Sequence, residues 1–193
     1  MSVVLPAPDG DDRIRIVQTG ANGQFEVTID SVSKGSFSAN GRVIAFGQAG
    51  DDGIDAPNNV SLPVEFYGGE GDDTLNGAAR PDLLVGGPGA DALHGGQGRD
   101  ILIGGAGLDQ LSGGPDDDVL VGSASIHDEN FTALHSIQAE WLRTDIDASI
   151  RSSHLLDGTG LNGPGAKLDA ASIIDDLLSD GLSDGSGTNL VRD

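Results

Sequence analysis

The chain has 193 residues, with 31 acidic side chains against 10 basic ones, a formal net charge of −21 and no cysteine. Lys34 and Lys167 are the only lysines and the arginines are scattered, so the chain lacks the cationic surface that nucleic acid requires, and zero Cys excludes disulfide staples and thiolate zinc sites. No run of about 18 apolar residues predicts a membrane span, and the opening MSVVLPAPDG lacks the basic and apolar regions of a secretory signal peptide.

In chain order, residues 1–67 read as an N-terminal β-strand region. Period-two alternation predicts strands over 13–18, 24–29, 42–46 and 60–67. Phe25, Val27 and Ile29 should share one face, as should Leu62, Val64 and Phe66. Two fragments pair an Asp with an Ile two residues on: PDGDDRIR, with Asp12 and Ile14, and GQAGDDGID, with Asp52 and Ile54. Both keep the phase of the repeats that follow. Ordinary Asp-Gly turn chemistry between strands is the competing reading.

From Gly68 the sequence runs in nines: GGEGDDTLN, GAARPDLLV, GGPGADALH, GGQGRDILI, GGAGLDQLS and GGPDDDVLV. The sixth position is always Asp (Asp73, Asp82, Asp91, Asp100, Asp109, Asp118). The eighth is always Leu (Leu75, Leu84, Leu93, Leu102, Leu111, Leu120). Glycines permit the positive-φ backbone of a tight turn over the first six residues, and the last three make a short strand whose middle Leu points inward. Two repeats form one coil, so Asp residues 18 apart stack at about 4.8 Å, the strand-pairing distance. Like charges at that spacing need a hard cation. Carboxylate and carbonyl oxygens, about six to eight of them, are the ligand set of calcium. The acids fit this use, since 26 of the 31 are Asp, which suits turns and metal loops better than Glu does.

These nonapeptides resemble the RTX, or haemolysin-type, calcium-binding repeat family, whose signature is GGxGxDxUx. The resemblance implies an all-β fold with a parallel β-roll, or β-solenoid, over 68–122 and Ca²⁺ held between stacked turns. It implies as ligands the sixth-position Asp and turn carbonyls. On one edge these belong to Gly68, Gly69, Gly71 and Asp73, then Gly86, Gly87, Gly89 and Asp91, then Gly104, Gly105, Gly107 and Asp109. On the other they belong to Asp82, then Gly95, Gly96, Gly98 and Asp100, then Gly113, Gly114 and Asp118. The first edge is without fault and predicts two sites, Asp73 with Asp91 and Asp91 with Asp109. On the second, Ala78 and Arg80 replace glycines and Pro81 stiffens the turn, so a site between Asp82 and Asp100 is in doubt, with the Arg80 guanidinium as a stand-in for the ion. Asp116, at the fourth position, tolerates the left-handed conformation, and Asp100 with Asp118 is a predicted site. Three Ca²⁺ sites are therefore expected, with a fourth left open; they would bring the charge to about −15 to −13. Asp12 and Asp52 are weaker calcium candidates.

The outer strand positions differ between the two sheets. Thr74, Asn76, Ala92, His94, Gln110 and Ser112 are mostly polar, whereas Leu83, Val85, Ile101, Ile103, Val119 and Val121 are all aliphatic. The aliphatic face should be covered, by the C-terminal segment or by another chain. Segment 123–157 is the natural helical cap: Phe131, Leu134, Ile137, Trp141 and Leu142 recur at helical spacing, predicting helices near 129–144 and 146–156. Residues 158–193 read as a loop and degenerate repeat tail, with Asp180 and Asn189 nine apart, as are Leu182 and Val191.

No catalytic motif survives inspection. The GxGxxG over 158–163 is not flanked by a strand and a helix. The GxSxG around Ser183 follows every His (94, 127, 135 and 154), whereas the hydrolase order puts His last. His94 reads as surface, and His127, His135 and His154 as helix-surface residues rather than metal ligands. The expected function is thus a non-enzymatic, calcium-binding β-roll module of an exported bacterial protein, folding on extracellular Ca²⁺. RTX relatives commonly use type I export without an N-terminal signal peptide. The alternatives are a calcium-dependent adhesion or surface-layer protein that associates with itself or another chain through the aliphatic sheet face, and a non-catalytic carrier region of a secreted enzyme or toxin.

Overall fold

The computed structural model describes residues 3–20, 23–160, 165–168, 173–174, 181–183 and 190–192. The chain runs β1 (Val3–Pro6), β2 (Arg13–Gln18), β3 (Gln24–Ile29), β4 (Val32–Ser38), β5 (Val43–Ala49), β6 (Gly53–Asp55), β7 (Val64–Glu70), β8 (Thr74–Asn76) and β9 (Leu83–Pro88). It continues through β10 (Ala92–His94), β11 (Ile101–Ala106), β12 (Gln110–Ser112), β13 (Val119–Ser125), α1 (Phe131–Trp141), α2 (Ala148–Asp157), β14 (Ile173–Ile174), β15 (Gly181–Ser183) and β16 (Leu190–Arg192).

The nine-residue period becomes a β-solenoid because successive repeats alternate between two parallel sheets. One sheet has the order β1-β5-β7-β9-β11-β13, with β16 parallel and β14 antiparallel to β13. The other has the order β15-β12-β10-β8-β6-β2-β3-β4. Backbone register lines the eighth positions into two columns: Leu5, Ala45, Phe66, Leu84, Leu102 and Leu120 in the first sheet, and Ile14, Ile54, Leu75, Leu93, Leu111 and Leu182 in the second. These columns face each other and are the core.

The roll therefore begins well before Gly68. The turns ending at Asp12 and Asp52 are true layers, separated by insertions: the antiparallel β2-β3-β4 meander, and an excursion over 56–63. Asp30 and Ser31 turn the β3–β4 hairpin with φ of 51° and 64°, a two-residue geometry that matches strand twist. The strand expected over 60–67 starts only at Val64, because Pro63 has no N–H to give a ladder and 57–60 closes a turn. After the helices β15 and β16 add a further layer, Leu182 pairing with Leu111 and Val191 with Leu120 in backbone register. The expected tail repeat is present in its strands; Asp180 and Asn189 lie outside the described residues.

The first sheet is buried on both faces, which is why its strands read LLV, ILI and VLV without alternation. Leu83, Val85, Ile101, Ile103, Val119 and Val121 pack under Ala133, Leu134, Ile137, Trp141 and Leu155 of α1 and α2. The aliphatic face is thus covered by the chain's own helices, which leaves those side chains unavailable to a second chain. Each helix has a local start signal: Asn130 accepts from the Ala133 N–H (3.1 Å) and Asp147 from that of Ile150 (3.0 Å). Gly158 ends α2 in the left-handed conformation (φ 71°).

No helix among the described residues is long and apolar enough to cross a membrane. Burial on the two faces of the roll predicts a sharp mutational contrast. Leu102→Ala should cost about 2–5 kcal/mol of unfolding free energy, whereas Thr74→Ala, on the exposed polar face, should stay within about 0.5 kcal/mol; denaturant titration of both variants checks this.

Candidate metal centre

The sixth-position Asp side chains form two buried columns, one along each edge of the roll. On the first edge each backbone N–H donates to the Asp one layer on: Asp12 to Asp52 (2.7 Å), Asp52 to Asp73 (2.7 Å), Asp73 to Asp91 (2.7 Å) and Asp91 to Asp109 (2.9 Å). On the second edge Val64 donates to Asp82 (2.7 Å), Asp82 to Asp100 (2.8 Å) and Asp100 to Asp118 (2.9 Å). Every predicted Asp is thereby placed in a column, with Asp73, Asp82, Asp91, Asp100, Asp109 and Asp118 each at most 1% exposed.

These bonds use Oδ1 and leave the other oxygen facing inward. The Oδ2 atoms of Asp12, Asp52, Asp73, Asp91 and Asp100 are buried without a hydrogen-bond partner. An unsatisfied buried carboxylate oxygen is costly, so a row of them calls for an electrophile. The surroundings supply the remaining donors. A Cβ built on Gly86 would collide with Asp91 Oδ2 and lie 2.5 Å from Gly104 O; on Gly68 it would strike Asp73 Oδ2 and lie 2.7 Å from Gly86 O; Gly95 and Gly104 are crowded in the same way. Glycine at the first position thus leaves a cradle where a carboxylate oxygen and a carbonyl of the next turn converge. Gly69, Gly71, Gly87, Gly89, Gly96, Gly98, Gly105, Gly107 and Gly114 all have positive φ. Their tight turns bring further carbonyls to the interlayer space: a Cβ built on Gly87 or Gly89 would collide with Gly69 O or Gly71 O. Asp116 takes the left-handed conformation at the fourth position (φ 85°), as its residue type allows.

The donor set is therefore carboxylate plus backbone carbonyl. Among the described residues no three Asp, Glu, His or Cys side chains are grouped so as to hold a metal ion by themselves, so backbone carbonyls are needed to complete the donor set. Hard oxygen donors of this kind suit calcium.

The turn ending at Asp82 departs from the others. Its Oδ1 accepts from Val64 and its Oδ2 from the N–H of Ala78 (2.7 Å), so both oxygens are satisfied within the protein. Arg80 does not stand in for an ion: it is exposed, and its Nε donates to Ser61 O (3.2 Å). The stand-in is a backbone amide, made available by the changed turn sequence. Of the three histidines expected on a helix surface, His127 is instead buried in the turn before α1, with Nε2 3.0 Å from Lys167 O. His135 and His154 do sit on helices, but reach Glu65 (3.0 Å) and Glu140 (2.6 Å).

Several residues around the roll gave no sequence signal. Arg99 donates to the carbonyls of Trp141, Leu142 and Arg143 (3.1, 2.8 and 3.1 Å), holding the C-terminal end of α1 against the second edge. Beside it Trp141 Nε1 donates to Asp117 O (3.0 Å), and Arg151 stacks over the Trp141 ring while pairing with Asp117 (2.6 Å). On the first edge Asp11, Asp51 and Asp72 form an exposed outer ladder, each accepting from the N–H of the next layer at 2.8–3.0 Å.

A sequence model described as the RTX calcium-binding nonapeptide repeat (4 copies) matches residues 67–102 and 94–125. Residues 67–125 belong to the RTX calcium-binding repeat family. The matched RTX segment contains all six sixth-position Asp residues from Asp73 to Asp118, and the layers at Asp12 and Asp52 lie outside it. No curated protein and no solved structure matches the chain.

Without metal the RTX columns favour protons. Burial pushes the carboxyls of Asp73 and Asp82 up to about 7, Asp91 to about 8 and Asp100 to about 9, with neighbouring carboxylates adding to the rise for Asp73, Asp91 and Asp100. Because these values exceed those of the unfolded chain, the metal-free fold binds more protons than the unfolded state. Its stability is fullest below about pH 4 and is lost as pH rises through about 7–9. Calcium requires the ionised form, so its affinity should rise over that same window. Urea unfolding across pH should show the metal-free protein weakening from about pH 5 to pH 9, with calcium reversing the trend.

Proposed function

We propose that the chain is a non-catalytic β-roll module of an exported bacterial protein that folds on extracellular calcium. The supporting observation is the repeated pairing of a buried, unsatisfied Asp Oδ2 with a turn carbonyl from the next layer. Within the RTX segment three sites follow: Asp73 with Asp91, Asp91 with Asp109, and Asp100 with Asp118. The Asp82 turn holds none, since Ala78 already satisfies it. The ligands at each site are the Asp carboxylates and the carbonyls of the first-, second- and fourth-position turn residues. Bound calcium supplies positive charge to the columns; the chain supplies oriented oxygens and excludes water from them.

The folding logic follows from the charge. In a calcium-poor cytosol the carboxylates repel, and each one buried must take a proton, so the chain stays open and fit for export. Outside, metal-binding energy becomes folding energy, at the roughly 10⁻⁴–10⁻³ M affinities of extracellular modules. Because α1 and α2 already cover the aliphatic face, a self-sufficient folding module is favoured over an adhesin that docks through that face.

Circular dichroism with calcium and then excess chelator tests the reading. A β-rich spectrum should appear with calcium and collapse with chelator; a spectrum indifferent to both would reject it. Asp91→Ala, which touches two sites, should remove at least one bound ion, whereas Arg80→Ala should leave the number unchanged in a calorimetric titration.

A further inference from the structure

The Asp52 layer repeats the RTX cradle outside the RTX-matched segment. Asp52 is 3% exposed; its Oδ1 accepts from Asp12 (2.7 Å) and its Oδ2 has no hydrogen-bond partner. A Cβ on Gly47 would collide with Asp52 Oδ2 and Gly68 O, the same pair of atom types that meet at Gly68, Gly86 and Gly104. A Cβ built on Gly69 or Gly71 would collide with Gln48 O or Gly50 O, as one on Gly87 or Gly89 would with Gly69 O or Gly71 O one layer on. Four oxygens are therefore arranged as in the matched repeats. This holds although Asp52 and Asp73 are 21 residues apart rather than 18, because the 56–63 excursion leaves the stacking of β6 on β8 unchanged. Gln48 even adopts the positive φ (88°) that glycine supplies at that position elsewhere.

The next layer outward is built differently. Ala7 occupies the position that Gly47, Gly68, Gly86 and Gly104 hold in later turns, so a methyl group is present where they have none. The Ala7 carbonyl already accepts a hydrogen bond from Gln48 Nε2. Asp12 Oδ2 is buried without a hydrogen-bond partner, as Asp52 Oδ2 is, but its turn carries the Ala7 methyl and the neutral Gln48 amide in place of an open glycine cradle.

We infer that the calcium column of the first edge extends one layer beyond the RTX match, to a site between the 47–52 and 68–73 turns, and that Gln48 and Ala7 terminate it there. The inference rests on the calcium reading above and adds one ion to it. The rim carries Asp11, Asp51 and Asp72, which favour a divalent cation over a monovalent one by charge alone.

Native mass spectrometry of the full chain in saturating calcium tests it by counting ions. Asp52→Asn keeps the Oδ1 acceptor and should hold one ion fewer than the parent. Gly47→Ala copies the Ala7 turn without changing charge and should also lose one. Asp12→Asn should hold the parental number. An undiminished count in both Asp52→Asn and Gly47→Ala overturns the site, and a lost ion in Asp12→Asn overturns its boundary. If Asp52→Asn lacks the β-rich dichroism of the parent in calcium, Gly47→Ala decides. A parent chain that binds no calcium would instead overturn the RTX calcium reading, an outcome distinct from the failure of this site alone.

Discussion

The structure depends on stacking one carboxylate over another in a water-poor column. Asp52, Asp73, Asp91 and Asp100 each satisfy one oxygen by accepting a backbone amide of the neighbouring layer and turn the other toward turn carbonyls. That half-satisfied state cannot be neutral toward its surroundings. It must take a proton, which burial raises into the range of about 7–9, or a cation. The roll has only a thin interior of facing Leu, Ile and Phe columns, so the state of the edges decides whether the layers stay together. The Asp82 turn shows the third solution, in which a backbone amide from its own turn closes the carboxylate.

The second dependency is the helical cap. A two-sided apolar sheet would be an aggregation surface if left open. Here α1 and α2 bury it, and polar contacts at the second edge add to the packing over the face. Arg99, the fifth residue of its repeat, reaches the last carbonyls of α1, and Asp117, next to Asp118, receives both Trp141 and Arg151. The residues that dock the cap are therefore immediate neighbours of those in the Asp column.

Much of this was legible in the sequence, for definite reasons. The strict spacing of Asp73 through Asp118 and Leu75 through Leu120 sets turn, strand and stacking interval together, because a solenoid is governed by nearest-neighbour layers. The Asp12–Ile14 and Asp52–Ile54 pairs survived insertion, since an excursion between layers does not disturb the layer itself. The strand β4 and the late start of β7 were not legible: β4 lies exposed on an edge and carries little apolar pattern, and Pro63 outweighs the alternation around it. The roles of Arg80 and Arg99 were not legible either. Both donate to main-chain carbonyls far away in sequence, and a carbonyl acceptor leaves no mark in residue type.

The central claim is that calcium, by completing the Asp columns, holds the layers in register. Amide hydrogen exchange at Asp73, Asp91 and Asp100 measures this most directly, because each of these amides donates to the next carboxylate of its column. Protection of all three in calcium, lost together in excess chelator at neutral pH, is the result the account predicts. Equal protection of these amides with and without calcium would contradict it.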